Sequence, residues 1–147
     1  GHFTTVDGRN AAIIARWDGA RWHAAQTNLS GVIHALHVAR NGDYIAAGNI
    51  AHAGLPGMQN LSRWNGQTWS PLGGGFDARV ECLAELPSGE LIAGGGFTSV
   101  GGSLIDSIAL WNGSAWGPVG NLTHGNVFDI HVESTGSIVV CGSFVSV

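Results

Sequence analysis

The chain has 147 residues, a formal net charge of −4 and only 11% charged residues. This composition argues against a nucleic-acid groove or a surface attracted to anionic membranes. No apolar run approaches the roughly 20 residues of a membrane-spanning helix. Glycine is frequent (24 residues) and proline rare (4), which favours many short strands joined by turns. The two cysteines, Cys82 and Cys141, are too few for a cysteine-rich metal site.

A six-residue motif recurs three times at a spacing of 47 residues and contains all 6 tryptophans of the chain. It consists of Trp, then Asp-Gly or Asn-Gly, then two residues, then Trp. These dipeptides tolerate the positive φ angles of a tight hairpin turn, so the two rings of each copy are predicted to face each other across a strand pair. We expect a structural role, packing between repeats, with sugar-stacking platforms as the alternative. The six side chains are Trp17, Trp22, Trp64, Trp69, Trp111 and Trp116.

Each 47-residue period predicts four short strands, and the period aligns without gaps. In order of their place in the repeat, third strands are predicted at 13–17, 61–64 and 108–111, and fourth strands at 22–25, 69–72 and 116–119. First strands are predicted at 32–39, 80–86 and 127–133, and second strands at 44–50, 91–97 and 138–144. A period of about 40–50 residues that is rich in short strands is typical of four-stranded β-propeller blades.

The predicted fold class is therefore all-β, a propeller of four-stranded antiparallel blades in a single repeat domain over 1–147. The boundaries are strands three and four of an incomplete blade at 1–31, complete blades at 32–78 and 79–125, and strands one and two of an incomplete blade at 126–147. Three blades are too few for a ring, since propellers typically have 4–8, and open half-blades expose strand edges. We expect a homodimer that closes a six-bladed ring about a two-fold axis. The alternative is a fragment of a longer propeller chain.

The repeat also resembles a known family. The Trp motif is followed by Gly-x-Leu-Ile-Ala-Gly-Gly at 89–95 and Gly-Phe-x-x-Val-Gly-Gly at 96–102. This pattern resembles kelch-type propeller repeats, and most closely the Gly/Trp-rich repeats of bacterial surface propellers and of fungal cortical polarity-marker proteins. The period is also similar to that of tachylectin-type sugar-binding propellers, although their motifs are not evident. The resemblance implies the propeller fold and carries over no catalytic residue.

One face of the predicted propeller is the candidate binding surface. The loops after the second and fourth strands share that face and differ most between repeats, and binding residues are often found on loops held by a rigid scaffold. We predict that a carbohydrate or protein-surface ligand binds there, with solvated loop variation as the alternative. The predicted contacts are His52, Met58, Phe76, Asp77, Arg79 and His124.

Histidines on the first strands raise the possibility of a metal. His34 and His37 lie on one such strand, and His131 takes the place of His37 in the last repeat. A metal site needs three or four ligands at set distances, and Ala84 holds that place in the middle repeat. We therefore predict histidines in a channel wall and neither a metal nor another cofactor.

Catalytic motifs are missing from the sequence. It contains neither Gly-x-Ser-x-Gly nor His-Glu-x-x-His, and we predict no catalytic residue. A glycosidase needs two carboxylates at a set separation, which separate blades could supply. The main hypothesis is a non-enzymatic binding module; the alternatives are a glycan-acting hydrolase or lyase and a structural assembly module.

Overall fold

A computed structural model describes residues 5–10, 13–25, 28–55, 57–120 and 123–146. Within these ranges the protein is all-β and contains no helix. Accordingly, no described segment is a helix of the length and hydropathy needed to cross a membrane. The strands are β1 (Thr5–Val6), β2 (Arg9–Asn10), β3 (Ala15–Trp17), β4 (Trp22–Ala24), β5 (Leu29–Val38), β6 (Tyr44–His52), β7 (Leu61–Trp64), β8 (Trp69–Ser70), β9 (Val80–Glu85), β10 (Leu91–Gly95), β11 (Ser99–Val100), β12 (Ser103–Leu104), β13 (Ile108–Trp111), β14 (Trp116–Pro118), β15 (Thr123–Val132) and β16 (Ile138–Ser146).

Two four-stranded antiparallel sheets form the centre of the described structure. One has the order β5-β6-β7-β8, which is also the order along the chain. The other has the order β9-β10-β13-β14, because the hairpin β11-β12 is inserted between its second and third strands. Before and after them stand the two-stranded sheets β3-β4 and β15-β16. The prediction of an all-β protein with four-stranded antiparallel sheets is thus confirmed.

The two smallest hairpins, β1-β2 and β11-β12, lie in segments predicted as loops. In the second of them Val100 pairs with Ser103, and Gly101 and Gly102 between them have φ angles of 57° and 85°. Two successive positive φ angles define the type I′ turn that favours hairpins. The flanking strands are only two residues long, too short for an alternating hydrophobic pattern to predict them.

The core lies between successive sheets. Side chains alternate between the two faces of a strand, and both faces of β10 are buried. Leu91 and Ala93 pack in a cluster shared with Ile45 and Leu61 of the first sheet, whereas Ile92 packs towards β15-β16. A strand buried on both faces reads as a continuous apolar run, as β10 does.

The paired tryptophans lie opposite each other on the last two strands of each copy of the repeat. Trp64 lies directly opposite Trp69 on β7 and β8, with ring centroids 5.5 Å apart and tilted by 43°. The pairs in the other two copies have the same 5.5 Å separation. Offset, tilted rings are the favoured geometry of aromatic pairs. The predicted cross-strand contact of the rings is therefore confirmed.

Candidate functional site

A groove of about 500 Å³ opens on the face formed by the variable loops. It lies where the segment leading into β9 meets the ends of β6 and β10 and the start of β15. Most of its lining residues are of polar types, and they come from three successive sheets although they are far apart in sequence. The lining residues are Asn49, Asn60, Asp77, Ala78, Arg79, Gly96 and Asn126.

A second groove of about 460 Å³ continues from the first, and the two share Asn60 and Asp77. It runs over the glycine-rich link between the two four-stranded sheets towards the β11-β12 hairpin. The residues Gly75, Gly101 and Gly102 are among its lining. The amide of Gly101 donates a hydrogen bond of 2.9 Å to the carbonyl of Gly75, so this pair of main-chain groups holds the groove lining together.

Asn60 anchors the floor shared by both grooves. Its backbone is left-handed, with φ of 66°, a conformation that Asn tolerates better than most residues. The side-chain amide Nδ2 donates a buried hydrogen bond of 2.9 Å to the carbonyl of Phe76. The repeat-equivalent residues Ile13 and Ser107 also have positive φ, at 56° and 59°. The kink therefore belongs to the repeat, whereas the bond to Phe76 is particular to this site.

Asp77 fixes the neighbouring loop by three hydrogen bonds. Its carboxylate accepts one from the Thr98 hydroxyl at 2.7 Å and two from the amides of Thr98 and Ser99 at 2.9 and 3.0 Å. Partial burial acts to raise the pKa of Asp77, but these hydrogen bonds outweigh it, so the pKa lies below its usual value. Asp77 thus holds the groove wall in place as an anion.

Asn126 offers the groove an acceptor that the protein leaves free. Its Oδ1 atom is buried and has no hydrogen-bond partner among the described residues. A Cβ atom added at Gly96 would lie 3.0 Å from this oxygen, so a side chain at position 96 would press against it. Buried polar atoms are almost always hydrogen-bonded in native proteins. Because Oδ1 is buried, a ligand in the groove would reach this acceptor after a rotation of the Asn126 side-chain amide.

Arg79 supplies the positive charge at the rim of this groove. Its side chain is 53% exposed and forms an ion pair with Glu81. The other oxygen of the Glu81 carboxylate lies 3.1 Å from Nδ1 of His34, on the first strand of the neighbouring sheet. The guanidinium has five donors, and the pairing through its Nε atom leaves its outer donors available at the rim.

Two of the predicted contacts are core residues. Met58 is 0% exposed and Phe76 is 1% exposed. The ring of Phe76 packs edge-on against Phe97 and Trp116, with centroid distances of 4.8 and 5.1 Å. Both side chains therefore pack into the core and support the loops, and Phe76 also borders the second groove. Their predicted role as ligand contacts stays a prediction.

The two predicted histidines lie away from the grooves. The side chain of His124 is 84% exposed, and its Nδ1 lies 3.2 Å from the carboxylate of Asp106. His52 is half-buried, and its Nδ1 lies 3.1 Å from the carbonyl of Ala53. Neither residue lines either groove. Of the predicted contacts, Asp77 and Arg79 come together, while Asn49, Asn60 and Asn126 are additional lining residues.

The histidines of the first strands pair with carboxylates across adjacent sheets. His34 faces Glu81, and His37 lies 3.1 Å from Glu85 through its Nε2 atom. Across the described ranges, no group of three or more His, Cys, Asp or Glu side chains is arranged to hold a metal ion. These contacts act as cross-links between β5 and β9, the first strands of the two four-stranded sheets.

A third cavity, of about 420 Å³, opens on the opposite face among the short turns. It lies between the two four-stranded sheets and is bounded by Trp111 and three carboxylates, those of Asp43, Glu85 and Glu90. Asp43 is bound by Arg63, with an N–O distance of 2.5 Å. Glu85 is held by His37. Glu90 accepts a hydrogen bond of 2.7 Å from the Ser88 hydroxyl. All three carboxylates are therefore already engaged within the protein.

The fold and site together define an all-β protein of antiparallel four-stranded sheets, with a groove among its loops that is lined mostly by residues of polar types. Comparison of the chain with protein-family models, curated proteins and solved structures finds no match.

Proposed function

We propose that the protein is a non-enzymatic binding module whose ligand occupies the groove formed by Asn49, Asp77, Arg79 and Asn126. The observation that carries the proposal is the Asn126 Oδ1 atom in the groove wall beside Gly96, which has no hydrogen-bond partner among the described residues. A rotation of the Asn126 amide would turn this acceptor into the groove. A ligand hydroxyl or amide that donates to this oxygen would remove an unpaired buried acceptor, a group that costs about 1–3 kcal/mol.

The chemistry of the lining favours a carbohydrate. A sugar hydroxyl is both donor and acceptor, so it can donate to Asn126 Oδ1 and accept from the guanidinium of Arg79. The side-chain amide of Asn49 is exposed at the same groove and can do either. A protein surface is the alternative ligand, and it would place backbone or amide groups at the same atoms.

The scaffold for this site is proposed to be a β-propeller with three blades per chain, closed as a six-bladed ring by a homodimer. In its support, each four-stranded sheet follows the up-and-down order of a blade apart from the inserted hairpin. The first strands β5, β9 and β15 contact one another in succession, as the innermost strands of neighbouring blades would.

The direct test is a glycan array followed by titration calorimetry with the glycan that binds best. Asn126→Ala removes the unpaired acceptor, and Gly96→Ala places a methyl group 3.0 Å from it; each should weaken binding at least tenfold, about 1.4 kcal/mol. Arg21→Ala is the matched control, because Arg21 is exposed on the distant β3-β4 turn, and it should bind like the wild type. Absence of any bound glycan, or unchanged affinity in Asn126→Ala and Gly96→Ala, would refute a carbohydrate site in this groove.

A second candidate, a glycan-acting hydrolase or lyase, is favoured by one observation on the opposite face. The 420 Å³ cavity brings Asp43, Glu85 and Glu90 to one place beside Trp111, and paired carboxylates are the usual groups of glycoside hydrolysis. A screen of chromogenic glycosides with the wild type and with Glu90→Gln tests it. Turnover that disappears in Glu90→Gln would establish the enzyme; the absence of turnover in the wild type would eliminate it for the glycosides screened.

A further inference from the structure

Two surfaces of the described structure are exposed where the repeat is otherwise buried. Trp22, on β4, is 42% exposed, whereas the equivalent Trp69 and Trp116 are 8% and 9% exposed. Val139, on β16, is 53% exposed, whereas the equivalent Ile45 and Ile92 are 3% and 0% exposed. In both cases the residue type remains apolar while the covering sheet is missing. Large apolar side chains left exposed in this way mark an interaction surface.

The backbone edges of the same two hairpins are also open. Among the described residues, β3 is hydrogen-bonded only to β4, and β16 only to β15. In the complete sheets the corresponding edges are joined to each other, β6 to β7 and β10 to β13. An exposed strand edge is a template for pairing with another strand. Within the described ranges, β15-β16 therefore corresponds to the first and second strands of a sheet without a third and a fourth, and β3-β4 corresponds to a third and a fourth strand without the first two.

We infer that β3-β4 of one copy completes the sheet begun by β15-β16 of a second copy, so that four strands from two chains form one composite sheet. This inference rests on the propeller architecture proposed above. The pairing of β16 of one copy with β3 of the other, called the joint below, can be specified residue by residue. Ile45 pairs with Arg63 in one complete sheet, and Ile92 pairs with Leu110 in the other. Transferred by the 47-residue repeat, Val139 of one copy pairs with Arg16 of the other.

The same joint covers a second exposed surface. Leu36, on β5, is 52% exposed, whereas its repeat-equivalent Ile130, on β15, is 8% exposed. The difference arises because β15 packs against the preceding first strand, β9, while no first strand precedes β5 among the described residues. In the composite assembly β15 of the second copy takes that place. One arrangement therefore buries Trp22, Leu36 and Val139, which favours a second copy over an unrelated partner.

The pairing predicts a specific disulfide. The amide of Gly48 donates to the carbonyl of Asn60, and pairs alternate along an antiparallel ladder, so Ile45 and Arg63 form a non-hydrogen-bonded pair. Cα atoms in such pairs are about 4.5 Å apart, within the range for a disulfide. The equivalent positions Arg16 and Val139 are both exposed, so cysteines placed there disturb no core.

The test uses the 147-residue chain with Arg16→Cys, Val139→Cys and Cys141→Ser combined. Mild oxidation should convert most of it to a covalent dimer on a non-reducing gel. The matched control replaces Arg16→Cys by Ala15→Cys, because a shift of one residue turns the side chain to the other face; it should cross-link at least tenfold less. No covalent dimer, a disulfide within one chain, or equal cross-linking of the control would overturn the inference.

A second pair of variants tests the joint without cysteines. Val139→Lys should shift sedimentation from dimer to monomer, because the charge would be buried in the composite sheet. Leu104→Lys is the control: Leu104 is 90% exposed on β12, away from the joint, and the variant should remain a dimer. A dimeric Val139→Lys protein would contradict the inference. Glycan binding by a monomer would refute the composite sheet alone, and a cross-linked dimer that binds no glycan would refute the proposed function alone.

Discussion

The indole Nε1 of Trp116 donates a hydrogen bond of 2.7 Å to the main-chain carbonyl of Leu72. Trp116 lies on β14, the last strand of one sheet, and Leu72 lies just after β8, the last strand of the preceding sheet. The bond therefore joins the outer ends of two sheets. The same indole packs against Phe76, with centroids 5.1 Å apart, so it also covers the link beneath the loop-face grooves.

Trp116→Phe should lower the free energy of unfolding by about 1–3 kcal/mol, because it leaves the carbonyl of Leu72 without its donor. Trp111→Phe is the matched control: the Trp111 indole, in the same ring pair, makes no hydrogen bond to a described residue. The two variants should differ by about 1 kcal/mol or more in urea unfolding. Equal decreases in the free energy of unfolding would show that the buried ring area, and not the hydrogen bond, determines how much Trp116 stabilises the fold.

Gly94→Ala should destabilise the contact between the second four-stranded sheet and β15-β16. A Cβ atom at this position would lie 2.7 Å from both Cys82 Sγ and Val127 Cγ1, and overpacking of a core typically costs 1–3 kcal/mol. Gly117→Ala is the control, since its Cβ would meet no atom within 4 Å. Thermal unfolding should show a lower Tm for the first variant only. An unchanged Tm in Gly94→Ala would mean that this interface repacks freely.

Asp77→Asn should change how stability depends on pH. The folded-state pKa of Asp77 is lowered, so its contribution is fully present above the unfolded pKa of about 3.9 and is lost as the pH falls through the folded value. The wild type should therefore be more stable than Asp77→Asn at pH 7, and the difference should shrink below about pH 4. Glu133→Gln, at an exposed turn, is the control. A difference that stays constant down to pH 2 would contradict this role.

Much of the fold could be predicted because the same strand pattern recurs in each copy of the repeat. The third strands at Leu61–Trp64 and Ile108–Trp111 have the bounds that the tryptophan motif predicts. The first strand β5 begins earlier than predicted, at Leu29. Gly31 has a positive φ of 105°, and its backbone approaches β6 closely. A Cβ atom added at Gly31 would lie 2.1 Å from the carbonyl oxygen of Asn49. A glycine near the start of a strand interrupts the sequence pattern of the strand, so the extension to Leu29 was not predicted.

The site was less accessible to sequence reasoning, because it depends on which side chains of the loops point inward. Met58 and Phe76 differ between repeats as surface residues do, yet both are buried. Asn126 occupies the position of Arg79 one repeat later, and that equivalence was the available signal for it. The pairing of His34 with Glu81 also joins repeat-equivalent positions. Contacts between neighbouring sheets can therefore be sought in the sequence among first-strand residues that are 47 positions apart.

A second copy of the chain is proposed to cover the exposed surfaces of β3-β4 and β15-β16. Sedimentation equilibrium of the 147-residue chain is the decisive measurement. We expect a single species of twice the 15.2 kDa chain mass, stable to dilution into the micromolar range. A folded species of 15.2 kDa at all concentrations would rule out this assembly, because Trp22 and Val139 would then remain exposed in solution.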